Sequence, residues 1–276
     1  MSSYSPKTPN ETVNYTEGSF LAEFTKKIFL LLFFLAIIVF VISFSLKSFL
    51  SGISPEKEFT LASQFYTQEN YENLPQSKLK VVALVKGLSS QYFENIDIRV
   101  KFSDDELPNA FMMIGGTMTF TEGFLKLAKS ENEIAFVACH ELGHFNERHI
   151  IKNMGNAVGP AIVIALLDNL SGGGIGPMFS SGFNLYQLNY SRDLESEADD
   201  FALSCLNKYY GHVGGATDFF EHIKDYKTKI DSFSFKENKV TDFLSTHPNT
   251  LERIEDINAE IKNKKLDIQN TVPYMY

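Results

Sequence analysis

The chain has 276 residues, enough for one sizeable domain with appendages or at most two small ones, and one domain is expected. Its 25 basic residues against 34 acidic ones leave a net charge of −9, and no Lys/Arg-rich stripe runs through it, which excludes a nucleic-acid-binding surface. Phe is abundant at 25 residues while Trp is absent, and part of the Phe excess is concentrated in one early apolar segment.

Residues 1–20 are rich in Ser, Thr, Asn, Tyr and Pro without a sustained period, so residues 1–27 are expected to form a flexible tail. Residues 28–46 then read IFLLLFFLAIIVFVISFSL, 19 positions without a charge, which suffices for a helix across a hydrocarbon core of about 30 Å. A cleaved signal peptide is the competing reading. The 27 preceding residues are long for a signal peptide's first region, the run is longer than usual, and no small-x-small cleavage site comes after it, so an uncleaved single-pass anchor is expected. Lys26 and Lys27 abut its amino end and Lys47 its other end, a bias that places the domain on the non-cytoplasmic side; including Lys57 evens the count.

Residues 47–76 carry mixed apolar and polar positions and read as a juxtamembrane segment of one or two helices; residues 77–90 form another amphipathic helix and open a domain spanning 77–276. Asp97-Ile98-Arg99-Val100-Lys101-Phe102 alternates strictly, as a half-buried strand does. Gly115-Gly116 separates Ala110-Phe111-Met112-Met113-Ile114 from Thr117-Met118-Thr119-Phe120 in the manner of a hairpin, so a small sheet is expected over residues 97–120.

His140-Glu141-Leu142-Gly143-His144 is the motif that carries chemistry. One helical turn separates the two histidines, so both project from one face and can grip one metal ion, with Glu141 beside them as a base for water. A five-residue match also arises by chance, with the histidines only packing or meeting solvent. The local sequence argues against that: Ser130 and Glu133 make a capping box, and Glu131 and Glu133 suit a helix start. Arg148, His149 and Lys152 suit its end, which predicts a helix over 131–152. The uninterrupted run Ile134 to Cys139 marks that helix as largely buried.

The apolar run at 157–167 is short and broken by Gly159-Pro160, so it reads as buried or interfacial rather than spanning. The glycine-rich stretch 171–177 suits a flap over a site or an ordinary surface loop equally. A catalytic zinc takes three protein ligands, and the helix expected over about 190–208 offers the third. On its wheel Leu194, Ala198, Phe201, Ala202, Cys205 and Leu206 form an apolar arc that contains Glu195, while Glu197 groups with Asp193, Asp200 and Ser204. A buried carboxylate needs a cation or partner, which favours Glu195 as the ligand; Asp199, one turn on, is placed to accept from a ligand histidine. A solvated acidic helix start is the alternative for the same residues, and the first helix weighs towards the metal. His149 would face about 140° away from His144 on a continuous helix and is a poor ligand. His212 and His222 read as surface residues, and Cys139 and Cys205, each in an apolar helical stretch, as free buried thiols. A last helix is expected near 250–262.

These residues together resemble the gluzincin metallopeptidases of the HtpX, Oma1 and CAAX prenyl protease superfamily. The resemblance rests on His140-Glu141-Leu142-Gly143-His144, on Ser191-Arg192 followed by Glu195 and Ala198-Asp199, on His247-Pro248 followed by Thr250 and Arg253, and on Asn109-Ala110-Phe111 with Gly115-Gly116. It covers about residues 80–262 in consistent order. It implies an α+β, mostly helical, zincin-like domain with a small sheet beside the motif helix. It also implies one zinc ion per chain held by His140, His144 and Glu195, Glu141 as general base, and Asp199 and Arg253 around the ligands. The single clear span sets the chain with a single-anchor or secreted branch, and farnesylated-peptide specificity is not carried over.

The expected activity is that of a membrane-anchored zinc metalloendopeptidase acting in protein quality control or processing. A polypeptide substrate would add as a strand along Ala110, Phe111, Met112, Met113, Gly115 and Gly116, within an edge strand spanning 110–120. His247 would donate to a developing oxyanion, close the metal shell as a fourth ligand and keep the enzyme latent, or fix the turn before Pro248. The rival is a membrane-tethered assembly or chaperone-like factor with a zinc site and little proteolysis, and a hydrolase acting on another amide is a third reading. Nothing in the sequence sets an oligomeric state.

Overall fold

A 32-residue helix, α1 (Phe20–Ser51), opens the computed structural model, which describes residues 20–63, 69–153, 190–233, 247 and 250–276. Its stretch Leu21–Ser45 is long and apolar enough to cross a membrane, and its Phe, Leu, Ile and Val side chains are exposed all round. Among the described residues nothing packs along it, and such a helix, apolar on every face, suits a membrane anchor. The expected tail before residue 20, the apolar run 157–167, the glycine-rich stretch 171–177 and Pro248 lie outside the described residues.

After a three-residue break, Ser54 caps the short helix α2 (Pro55–Ala62), with Pro55 at its first position, where a missing N–H costs nothing. α2 is docked rather than loose. Glu58 is buried, its Oε1 accepting from the Gly115 amide at 2.6 Å and its Oε2 paired with the Arg148 guanidinium. Phe59 packs against the core beneath the Arg99 guanidinium.

Helix α3 (Gln76–Ser89) buries Val81, Val82, Leu84, Val85 and Leu88 and leads into a sheet of β1 (Arg99–Ser103), β2 (Ala110–Met113) and β3 (Thr117–Thr121). The order is β1-β3-β2: β3 is central, antiparallel to β2 and parallel to β1. The expected edge strand over 110–120 therefore divides. Of these two strands β2 is the edge, because β3 is paired on both sides and buried throughout. Gly115 and Gly116 turn the chain between them at φ 78° and 75°, a conformation costly for any side chain bearing a Cβ.

β3 runs through the short helix α4 (Glu122–Leu127) into the motif helix α5 (Glu131–Asn146). The expected cap forms in a shifted version: Ser130 accepts from the Glu133 amide at 3.2 Å, while Glu133 accepts from the Lys129 amide, one residue before the cap, and from the Ser130 hydroxyl. His222 adds a fourth contact to Glu133, at 2.8 Å. α5 ends at Asn146, short of the expected residue 152. Arg148 stands at φ 63°, its side chain drawn to Glu58, and this turn separates α5 from the helical residues 149–153.

Helix α6 (Arg192–Tyr210) packs along α5, and helices α7 (Asp218–Phe233) and α8 (Thr250–Asn263) complete the described helical layer. Gly143 permits the close approach of α6: a Cβ there would lie 3.1 Å from Phe201 Cβ and 3.2 Å from the Ala198 backbone. Between helices and sheet Phe120, Phe124, Phe136, Phe145, Phe219 and Phe220 are fully buried, each contributing about 1.5–3 kcal/mol of burial. Cys139 and Cys205 are not free thiols. They join α5 to α6 as a disulfide with Cα atoms 6.0 Å apart, because their apolar arcs face each other across the helix pair. His212 is likewise buried, accepting from the Gly214 amide, rather than on the surface.

Candidate metal centre

His140 and His144 leave α5 one turn apart and bring their Nε2 atoms within 3.0 Å of each other, both side chains buried. Glu195, from the first turn of α6, faces them: its Oε2 lies 3.4 Å from His140 Nε2 and its Oε1 3.5 Å from His144 Nε2. Glu197, two residues on, has a side chain 55% exposed. The wheel separates these two carboxylates in the same way, inward against outward. His247 arrives from the chain before α8, its Nδ1 3.3 Å from His140 Nε2 and 3.1 Å from Glu195 Oε1. The ligand atoms of His140, His144, Glu195 and His247 all lie within 4.8 Å of one another.

Three imidazole nitrogens and a carboxylate packed this closely out of water form a donor set that suits a metal ion. Burial, the largest influence on His144, holds it down to about 3, so it stays neutral with a lone pair to offer. Burial raises Glu195, and His247 and Arg253 overcome that and keep it ionised. Ligands about 2.0–2.1 Å from one tetrahedral ion stand about 3.3 Å apart; five of the separations in the group are 3.0–3.5 Å, near that value, and the whole set lies within 4.8 Å.

The surroundings hold these groups in place. Asp199, one turn after Glu195, lies 2.9 Å from His140 Nδ1. Arg253 of α8 donates to both Asp199 oxygens at 2.6 and 2.8 Å, and its Nη1 lies 2.7 Å from Glu195 Oε2. This fork locks Asp199 and draws two helices onto one carboxylate pair. Tyr190 lays its ring flat on His144, 3.9 Å between centroids.

Glu141 sits beside the group, with Oε1 3.3 Å from His247 Nε2 and Oε2 accepting from the Met112 amide at 2.9 Å. Burial raises its carboxyl, and His247, His144 and His140 more than reverse this, so it is held ionised as a base requires. The Met112 contact ties β2 to the motif. Thr121 N–H donates to Asn109 on the β3 side, so by strand alternation Ala110 and Met112 turn their backbone groups to the outer edge, facing the site. Phe111 and Met113 lie on the other backbone parity, and Gly115 and Gly116 form the turn, away from the donors. Sequence reasoning did not find Glu58, Tyr190 or the disulfide, and it set His149 aside, although His149 Nδ1 lies 2.9 Å from His144 Nδ1.

The model of Peptidase family M48 matches residues 76–261, more than half of the chain, and the chain belongs to that family. It is 30% identical over 196 residues to the mitochondrial metalloendopeptidase OMA1 of Schizosaccharomyces pombe, covering 68% of this chain and 54% of that protein. It is 30% identical to a putative β-barrel assembly-enhancing protease of Vibrio cholerae, covering 54% of this chain and 31% of that protein. It is 29% identical to the metalloprotease YcaL of Escherichia coli, covering 57% and 59%. The chain thus spans from about a third to three fifths of the length of these relatives. The fold is α+β and mostly helical, with a three-stranded sheet beside the motif helix and a buried donor group of zincin type.

Proposed function

We propose that this M48 chain is a membrane-anchored zinc metalloendopeptidase that cleaves polypeptides at a membrane surface. The observation that carries the reading is the convergence of His140, His144 and Glu195 in one buried group with the carboxylate of Glu141 alongside. His140, His144 and Glu195 hold the zinc, and Asp199 and Arg253 orient His140 and Glu195. Bound zinc supplies Lewis acidity, polarising a scissile carbonyl and acidifying water.

The remaining work belongs to the chain. Glu141 takes the proton from the attacking water and returns it to the leaving amine nitrogen, oriented by the Met112 N–H. A peptide paired along the outer edge of β2, through the backbone of Ala110 and Met112, would bring its carbonyl next to Glu141. Phe111 and Met113, both partly exposed, would meet side chains, and the Gly115-Gly116 turn would set how far the strand extends.

His247 turns Nδ1 into the donor group and Nε2 towards Glu141, which favours a fourth ligand that keeps the site latent over a donor to the oxyanion. In that reading His247 must leave before a substrate carbonyl enters. A closed four-ligand shell also suits the rival, an assembly or chaperone-like factor with a structural zinc. Such a site has no use for Glu141, and an ionised carboxylate held beside it favours hydrolysis.

Helix α1 would anchor the domain. A buried disulfide persists in oxidising compartments, which with Lys26 and Lys27 favours the domain on the non-cytoplasmic side. The test is casein cleavage by the purified full chain in detergent, abolished by chelation and restored by zinc. Stoichiometric zinc without cleavage would favour the rival, and protease accessibility of the domain in intact membranes reports the side.

A further inference from the structure

His140 and His144 are supported differently. The Nδ1 of His140 meets the carboxylate of Asp199, whereas the Nδ1 of His144 meets another imidazole, that of His149, at 2.9 Å. On a continuous helix these two side chains would point about 140° apart. They meet because α5 stops at Asn146 and the Arg148 turn swings His149 back over the helix end. Both rings are fully buried, and the other nitrogen of His149 lies 3.0 Å from Glu197 Oε2 on α6.

Counting hydrogens along this chain fixes its direction. For His144 to present the lone pair of Nε2 to a cation, its hydrogen must sit on Nδ1, and Nδ1 must donate. His149 Nδ1 then accepts, so the hydrogen of His149 sits on Nε2 and donates to Glu197, which as a carboxylate can only accept. In the reverse order His149 donates to a bare His144 Nδ1, and the hydrogen on His144 Nε2 points into the donor group. That arrangement leaves Glu197 facing a lone pair and blocks coordination. The Tyr190 ring stacked on His144 holds its plane while this chain holds its tautomer.

From this geometry we infer that His149 and Glu197 are positioning residues that fix His144 as a metal ligand, with Glu197 setting the tautomer from the protein surface. The inference rests on the metal reading above and adds two residues to it. It gives a role to a carboxylate that the helix wheel sets on the solvent side.

The test is zinc affinity of the full chain in detergent, measured by competition with a chromophoric chelator. Loss of an outer partner of a metal-bound histidine typically costs 10- to 100-fold in affinity. Glu197→Ala is expected to weaken zinc about tenfold and His149→Phe by more, while Asp193→Ala, an exposed carboxylate one turn earlier, leaves it unchanged. Because Glu197 acts through His149, the double variant should bind no more weakly than His149→Phe alone. Wild-type affinity in Glu197→Ala, or full additivity in the double variant, overturns the inference. Glu197 is at the surface, so its variant remains informative even where His149→Phe fails to fold. If the wild-type chain binds no zinc, the metal reading itself falls; if zinc affinities follow this order while casein stays uncut, only the peptidase reading does.

Discussion

Glu58→Ala tests whether the segment after α1 belongs to the catalytic fold. The carboxylate is buried between the Gly115 amide and the Arg148 guanidinium, so removing it orphans one buried N–H and strands one buried charge. An orphaned donor costs about 1–3 kcal/mol, and breaking a buried ion pair from one side about 3–5 kcal/mol. The two overlap, because α2 can undock and let water reach Arg148. That escape forfeits the burial of Phe59, about 1.5–3 kcal/mol at most. The net loss is then capped at about 1.5–3 kcal/mol, which for a domain of this size lowers the thermal midpoint by roughly 5–10 °C. Scanning calorimetry of the oxidised full chain in detergent reads the shift. Glu58→Met with Arg148→Met, which removes both charges, should recover most of it. A midpoint within about 2 °C of wild type in Glu58→Ala would mean that α2 is not held by this carboxylate, and would falsify the docking argument.

Four further outcomes are expected. Glu141→Gln should keep zinc, measured by metal analysis, and lose casein cleavage by at least 10²-fold; substantial residual cleavage removes Glu141 from the mechanism. Glu195→Ala should lose metal far more than Glu197→Ala, whose cost is about tenfold, and the reverse order rejects the assignment of Glu195 as ligand. For His247→Ala, raised basal turnover supports a latent fourth ligand, lost turnover supports an oxyanion donor, and unchanged turnover leaves only a turn-fixing role. Thiol labelling of the unfolded chain, isolated under native conditions with free thiols first blocked, should find Cys139 and Cys205 only after reduction; labelling without reductant would remove the disulfide from the compartment argument.

What was legible in the sequence is what local periodicity encodes. The capping box at Ser130 and Glu133, the one-turn spacing of His140 and His144, and the inward arc of Glu195 all come from 3.6 residues per turn. The hairpin was marked by Gly115-Gly116, which alone tolerate the φ of that turn. What escaped depends on partners distant along the chain. β1 pairs in parallel with β3 rather than with its sequence neighbour β2, and strict alternation in residues 97–102 carries no information about that choice. Cys139 and Cys205 stand 66 residues apart, and only the packing of α5 on α6 brings them to bonding distance. In Ser54-Pro55-Glu56-Lys57-Glu58 the helix start is readable, but which glutamate turns inward is decided by Arg148, 90 residues on. His149 stays outside the donor group, in line with its reading as a poor ligand, but its contact with His144 escaped because the wheel assumed an unbroken helix.

That break connects the segment after α1 to the candidate metal centre through contacts alone. Glu58 holds the Arg148 side chain, and with it a left-handed backbone that costs a residue with a Cβ about 1–2 kcal/mol. Without the turn at 147–148 the helix would run on and carry His149 away from His144. With it, His149 closes on His144 and passes the contact to Glu197. The same Glu58 accepts from Gly115, at the end of the strand whose Met112 amide holds the base Glu141. One carboxylate within ten residues of the end of α1 therefore braces both sides of the candidate site: the motif helix α5 at its carboxyl end and β2 at its turn. A soluble version of the domain should begin before Ser54, because a start at residue 76, where the family match begins, would discard that brace.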